Sequence, residues 1–225
     1  MKNLITIGLP SKGRLKDKAI SFFNVRGLKI LQSEKERNYF GTIENKPNIK
    51  IIFLHAKEII QRLGDGTLDI GVSGLDLLKE SDKNLQDKIY IQKKLDFGNA
   101  NLVIAVPDDW IDVQTIADLE EVSFDIRFKR NARLRVATKY PNLTNDFLNS
   151  KGVTQYKLIS SLGATETYPF IGSSEIISDI TSTGKTLADN DLRVLKDGLI
   201  LKSTACLFIA KKKTVNLDNF LSLLN

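Results

Sequence analysis

The chain has 225 residues, 42% of them apolar and 27% charged, and its 33 Lys+Arg against 27 Asp+Glu leave a net charge of +6 at neutral pH. With a mean hydropathy of −0.14, this excludes a disordered or membrane-embedded polypeptide, the length excludes a long multidomain assembly, and the single cysteine excludes an internal disulfide and a sulfur-rich metal cage. The basic excess favours anionic partners, yet acidic residues are interleaved with it, as in Glu34-Lys35-Glu36-Arg37, so phosphorylated metabolites and nucleic acid both stay open at this level.

In chain order, Leu4–Leu9 reads as a first buried strand. It is too short for a signal-peptide core, and no segment approaches the ~20 apolar residues of a membrane helix, so a cytoplasmic protein is expected. Gly13–Phe23 places Leu15, Ala19, Ile20 and Phe23 on one helical face. Ile49–Leu54, Ala56–Leu63 closed by Gly64, and Leu68–Val72 form a compact strand-helix-strand unit. Beyond the amphiphilic stretch Ile89–Leu95, Asp96-Phe97-Gly98-Asn99 separates two apolar runs. A second set of elements follows. It holds a strand at Leu102–Val106, a strand at Leu134–Thr138 and a helix from Pro141, a favoured first helical residue, to just before Gly152. Ile176–Ile180 and Gly198–Ala210 return to the buried apolar style, and Val215–Leu224 reads as a docking helix. The alternation predicts an α/β protein of mainly parallel sheets flanked by helices. Two lobes are expected, 1–95 with 179–225 and 96–178, with a ligand-binding cleft between them.

Four turns carry candidate chemistry. In Asp179-Ile180-Thr181-Ser182-Thr183-Gly184-Lys185-Thr186 a strand runs into small hydroxyl residues and a glycine before a helix. Backbone N–H groups and hydroxyls there make a phosphate cradle. A Walker motif is excluded because its first glycine would fall on Asp179, which instead suits a sugar hydroxyl. An ordinary capped turn explains the same residues equally well. Pro10-Ser11-Lys12-Gly13-Arg14 follows the first strand, where open α/β sheets bind ligands, and a planar guanidinium at Arg14 suits a pyrophosphate. The alternative, a solvated basic turn, is opposed by the helix dipole. Lys139 at a strand end and Glu166 in Gly163-Ala164-Thr165-Glu166 complete the set. His55, the only histidine, reads as a satisfied polar group, Cys206 as core, and Lys211-Lys212-Lys213 as a solvated strand end. Trp110 lacks the companions of a base-stacking row.

Together LPSKGR (Leu9–Arg14), DGTLDIGVSGLD (Asp65–Asp76), RVATKYPNLT (Arg135–Thr144), GATE (Gly163–Glu166) and DITSTGKTLADN (Asp179–Asn190) span nearly the whole chain, and in this order they resemble the ATP phosphoribosyltransferase family in its short form. The resemblance implies a type II periplasmic-binding-protein-like fold. It implies transfer of the 5-phosphoribosyl group of phosphoribosyl pyrophosphate (PRPP) to N1 of the adenine of ATP, the first step of histidine biosynthesis, with Mg²⁺ present. It places Thr183, Gly184, Lys185 and Thr186 on the 5-phosphate, Asp179 and Glu166 on the ribose, and Ser182, Lys139 and Lys12 on PRPP. Arg14 and Arg37 become the catalytic cations facing the departing pyrophosphate. Short-form enzymes work with a regulatory subunit similar to histidyl-tRNA synthetase, so a homodimer within a hetero-oligomer is expected, with no nucleic-acid or membrane partner. Departures from the family pattern are His55, where many members carry Arg, Asp191 in place of Gly, and the bulky Tyr168 and Phe170. Two rival classes are a non-catalytic solute-binding protein of the same fold, against which the absence of an export signal counts, and a nucleic-acid-binding protein, against which dispersed charge and few aromatics count.

Overall fold

The structure, a computed structural model, describes residues 4–32, 39–211 and 217–224. The chain divides into two compact units, Met1–Gly98 with Thr204–Asn225, and Asn99–Ser203. The outward crossing falls within the Asp96–Asn99 stretch. The return lies at Ser203/Thr204 and not at 178/179, so residues 179–203 belong to the second unit.

The first unit opens with β1 (Ile5–Pro10), α1 (Gly13–Asn24), β2 (Ile30–Gln32), β3 (Phe40–Ile43), β4 (Lys46–Leu54), α2 (Ala56–Gly64), β5 (Ile70–Gly74), α3 (Leu75–Glu80), α4 (Lys83–Gln86) and β6 (Ile89–Lys94). The second unit contributes β7 (Ala100–Pro107), α5 (Ile116–Arg130), β8 (Leu134–Thr138), α6 (Pro141–Ser150), β9 (Tyr156–Ser160), a 3-10 turn at Thr165–Thr167, β10 (Ile176–Thr181), α7 (Lys185–Ala188) and β11 (Leu192–Ser203). The chain then re-enters the first unit as β12 (Ala205–Ala210) and α8 (Asp218–Leu221).

Among the described residues, the first unit forms a sheet of order β2-β3-β4-β1-β5-β12-β6 and the second one of order β11-β7-β10-β8-β9. Both sheets are mixed, correcting the expectation of mainly parallel ones. Parallel pairing is confined to β4-β1-β5 in the first and β10-β8-β9 in the second. The partners β3, β12, β7 and β11 run antiparallel. The reason is connectivity: strands that follow helical crossovers pair in parallel, whereas β12 arrives directly from the other unit and enters from the opposite end.

Each sheet is covered on both faces, which suits strands that are apolar throughout. In the first unit Ile7, Leu9 and Phe23 belong to one cluster and Ile59, Leu63 and Phe208 to another. The α2 helix turns Ile59, Ile60 and Leu63 inward, and a Cβ at Gly71 would lie 2.5 Å from Ile59 Cγ2, so glycine in β5 lets this helix close on the sheet. In the second unit Ile104, Val136 and Leu148 pack on one side, and Val103, Ile177 and Leu187 on the other. The run Gly198–Ala210 splits into the end of β11 and all of β12. Thr204 marks the break, its Oγ1 donating to the carbonyls of Leu95 (2.7 Å) and Phe97 (3.0 Å). At the C-terminus Leu217, Phe220 and Leu224 are buried against the first unit's core, as the docking reading requires, although the helix itself covers only Asp218–Leu221 before a 3-10 turn. No helix is long and apolar enough to cross a membrane among the described residues.

Candidate active site

Because β10, β8 and β9 run parallel, their carboxyl ends share one edge of the second sheet, the edge where such sheets bind ligands. Lys139 stands exposed just after β8. After β9 the chain turns through Ser161–Glu166. Ala164 there is left-handed (φ 43°, ψ 50°), a strained backbone for a residue with a Cβ. The 3-10 turn that follows packs against β10 and holds Glu166 half-buried. Asp179 is also half-buried, and its Oδ1 accepts from the N–H of Ile180 at 2.7 Å. The strand continues two residues past Asp179, so this carboxylate lies within β10, on the same face as Ile177 and Thr181.

Beyond Thr181 the loop is built from side-chain-to-backbone bonds. Thr181 Oγ1 accepts from the N–H of Gly184 at 2.9 Å, and Thr183 Oγ1 from that of Lys185 at a longer 3.4 Å. Gly184 has φ +76°, and a Cβ placed on it meets no atom within 4 Å, so this glycine is dictated by its backbone and faces open space. Ser182, Thr183, Lys185 and Thr186 are exposed, while Leu187 anchors the loop in the core. The hydroxyls of Thr181 and Thr183 thus shape the loop, while Ser182 and Thr186 are exposed.

A buried layer of hydroxyls lies under this edge. Thr144 Oγ1 of α6 donates to Ser178 Oγ of β10 at 2.8 Å and lies 3.3 Å from Thr138 Oγ1 of β8, which accepts from the N–H of Tyr140 at 2.9 Å. Ser161 Oγ and Thr165 Oγ1 are 2.9 Å apart. All five residues are buried, so these bonds are made away from water and fix the relative height of three turns. Thr138 and Ser178 lie in strands, Thr144 in a helix and Ser161 and Thr165 in a turn, so no single periodicity in the sequence marks the layer.

In the first unit β1, β4 and β5 likewise end at a common edge. Ser11 N–H donates to Leu54 O at 2.9 Å, joining the turn after β1 to the end of β4. Lys12 caps α1 without a side-chain hydrogen bond, the first turn contains no acidic residue, and Lys12 and Arg14 are exposed. Two cations thus stand at the positive end of a helix dipole with no acidic residue in that turn to offset them. Arg37 lies outside the described residues. His55 is exposed at the start of α2, where its Nδ1 accepts from the N–H of Lys57 at 3.3 Å, a capping role. Cys206 is fully buried, and burial, against the nearby Lys94, pushes its thiol up to about 11, which leaves it inert as a nucleophile. Among the described residues no group of three or more His, Cys, Asp or Glu side chains is placed to hold a metal ion.

The structure therefore gathers Lys139, Glu166, Asp179 and Ser182–Thr186 along one edge of the second unit, and Lys12 with Arg14 on one edge of the first. A family model described as ATP phosphoribosyltransferase (HisG) matches residues 55–225. An ATP phosphoribosyltransferase of Brucella melitensis is 46% identical over 209 residues, covering 92% of this chain and 90% of that one. The chain belongs to the ATP phosphoribosyltransferase family. As an ATP phosphoribosyltransferase it is a pentosyltransferase that catalyses the first step of histidine biosynthesis. Among solved structures, the ATP phosphoribosyltransferase (HisG:HisZ) complex of Thermotoga maritima aligns with a TM-score of 0.74 at 24% identity, covering 98% of this chain and 96% of that one. The ligand-binding core of GluR0 with L-glutamate aligns at 0.57 and 11% identity, covering 98% and 90%. These likenesses establish a two-lobed fold of the type II periplasmic-binding-protein kind.

Proposed function

We propose that the second unit of this ATP phosphoribosyltransferase grips the sugar phosphate of PRPP and that the first supplies the charge that lets pyrophosphate leave. The observation that carries this reading is the gathering of Lys139, Glu166, Asp179 and the Gly184 loop on one carboxyl edge, over a locked layer of hydroxyls. The loop Ser182–Thr186 receives the 5-phosphate through backbone N–H groups and hydroxyls. The half-buried carboxylates of Asp179 and Glu166 accept hydrogen bonds from the ribose hydroxyls, and Lys139 adds a cation on the same side. Lys12 and Arg14 meet the negative charge that develops on the pyrophosphate, a role the family resemblance also gives to Arg37.

The reaction is a displacement with inversion at the anomeric carbon. The lone pair of adenine N1 forms the new bond to that carbon as the bond to the pyrophosphate oxygen breaks, and the electron pair departs with pyrophosphate. Adenine N1 carries no proton to remove, so the chemistry rests on positioning and electrostatics, not on a nucleophile–base pair. Mg²⁺ bound with PRPP would supply neutralisation of the leaving-group charge, alongside the cations of Lys12 and Arg14. We further infer a cytoplasmic enzyme, working as a homodimer within a hetero-oligomer with a histidyl-tRNA-synthetase-like regulatory subunit. The HisG:HisZ assembly of the Thermotoga protein supports that last point.

The test is an assay of the purified chain with ATP, PRPP, Mg²⁺ and inorganic pyrophosphatase, following the absorbance change as N1 becomes substituted. Turnover that requires PRPP and releases pyrophosphate is the expected result. Silence that persists after the regulatory subunit is added overturns the reading in favour of a binding protein of this fold.

A further inference from the structure

At the opposite edge of the second sheet, where β8 and β10 begin, β7 ends and β11 starts, lies a hollow of about 630 Å³. Its walls are apolar and partly aromatic: Pro107, Trp110, Pro169, Phe170 and Leu192. Phe170 is 67% exposed although it faces this hollow, a large ring left without a covering partner. Ser174 lines the hollow at 2% exposure, and its Oγ has no hydrogen-bond partner among the described residues. A buried hydroxyl without a partner forfeits the hydrogen bonds it would make to water, and a group on the wall of a hollow can regain one from a ligand.

The charges around the hollow favour one sign. Arg135 is fully engaged: its guanidinium donates to Glu175 Oε1 at 2.6 Å and to Gly172 O at 2.8 Å, while its backbone N–H donates to Glu175 Oε2 at 2.7 Å. Arg193 donates to the carbonyls of Trp110 (2.6 Å) and Val113 (2.8 Å), which holds the wall in place. The exposed carboxylates of Asp109 and Asp191, by contrast, have no cation within 4.0 Å among the described residues, and Asp108 has only a long approach to Arg193 at 3.9 Å. The cations are spent on structure and the anions face outward. An anionic ligand would meet repulsion here, and a cation would meet both carboxylates and the indole of Trp110.

We propose that this hollow is a second small-molecule site that takes a compact organic cation with an apolar body. The body lies against Trp110, Phe170 and Pro169, the charged head reaches Asp109 and Asp191, and an N–H of the head satisfies Ser174 Oγ. The site is built from residues other than those assigned to PRPP, so it stands or falls independently of the transfer reaction.

Trp110 is the chain's only tryptophan, so its emission reports on this hollow alone. Three ligands of one shape and different charge are titrated against the purified full chain: cyclohexylmethylamine, cyclohexylmethanol and cyclohexanecarboxylate. The amine is expected to shift the emission saturably and to bind about tenfold more tightly than the carboxylate. Asp109→Asn with Asp191→Asn, both on the surface and the second tolerant of the left-handed backbone at 191 (φ 48°), is expected to weaken the amine about tenfold. Ser174→Ala should weaken it about threefold or more while leaving the carboxylate unaffected. A non-saturating response to the amine, equal binding of amine and carboxylate, or an unchanged response in the Asp109/Asp191 variant overturns the proposal. Ligand-observed NMR on the same samples settles any titration in which the emission itself does not move, since retained transfer from the cyclohexyl protons supports binding and its loss refutes it.

Discussion

The carboxyl edges of the two sheets are built from opposite materials. In the second unit the turns are rich in hydroxyls and small residues, carry two half-buried carboxylates, and rest on buried hydrogen bonds between Thr138, Thr144 and Ser178. In the first unit the turn after β1 carries exposed cations at a helix start with no acidic residue in its first turn. A surface of fixed hydroxyls and N–H groups is suited to holding a phosphate and a diol in one geometry. A pair of exposed cations at a dipole's positive end is suited to a charge that grows during reaction. On the proposed assignment grip and turnover are separable, and substitutions can pull them apart.

The largest effect is expected at Arg14. Arg14→Ala should lower kcat on the order of 10²-fold or more, as removal of a group that stabilises developing charge does, with little change in the KM for ATP. Equal losses in both would remove the distinction between the edges. Gly184→Val comes next. The backbone at 184 is left-handed, where a β-branched residue is strained, and the new side chain projects into the open space assigned to the 5-phosphate. Loss of about 2–3 kcal/mol of phosphate contacts corresponds to a rise in PRPP KM of about 10²-fold. Because nothing packs against that Cβ, the fold itself should survive, which circular dichroism checks.

Thr144→Val sharpens the comparison by attacking the buried layer without touching an exposed turn. Leaving Ser178 Oγ and Thr138 Oγ1 short of a partner should cost about 1–2 kcal/mol in denaturant unfolding and raise PRPP KM by a few-fold, with no change in the KM for ATP. The smallest effect concerns the opposite edge. Burial drives the Glu175 carboxyl up, but the hydrogen bonds from the Arg135 side chain and backbone outweigh it and hold Glu175 below the ordinary carboxylate range. A carboxyl depressed in the folded state contributes stability that is complete above its unfolded value and fades as pH falls through the folded one. Glu175→Gln should therefore cost about 1 kcal/mol at neutral pH, with the stability curves of variant and parent converging in acid. A constant offset across that range would show that the pair contributes through shape and not charge.

Much of this was legible because the informative features are local. A strand followed by Gly, Ser and Thr announces a turn whatever surrounds it, so the Thr181–Thr186 and Pro10–Arg14 turns, α2 and α6 stand within a residue or two of where periodicity and punctuation put them. What depended on distant pairing did not show. The run Gly198–Ala210 marks the passage between units only by the short polar interruption Lys202-Ser203-Thr204, although β11 is mostly exposed or half-buried and β12 is buried throughout. Antiparallel β12 inserts between β5 and β6 by register with strands more than a hundred residues away in sequence, and this mixes the sheet. The strand expected at Ile176–Ile180 runs one residue further, because Thr181 pairs with Asn101 of β7. The hydroxyl layer was hidden for a similar reason, since Thr138, Thr144 and Ser178 come from three elements. The hollow beside Trp110 likewise draws on four separate segments, and its lone tryptophan gave no sign in the sequence beyond the lack of stacking partners.

The most direct test of the division between the two edges is PRPP binding measured by calorimetry, in the presence of Mg²⁺, on Gly184→Val and Arg14→Ala side by side with the parent. The account predicts that Gly184→Val loses most of its PRPP affinity, whereas Arg14→Ala binds PRPP within a few-fold of the parent and yet turns over poorly. Full PRPP affinity in Gly184→Val, or its loss in Arg14→Ala alone, would contradict the assignment of grip to the second unit and of turnover to the first.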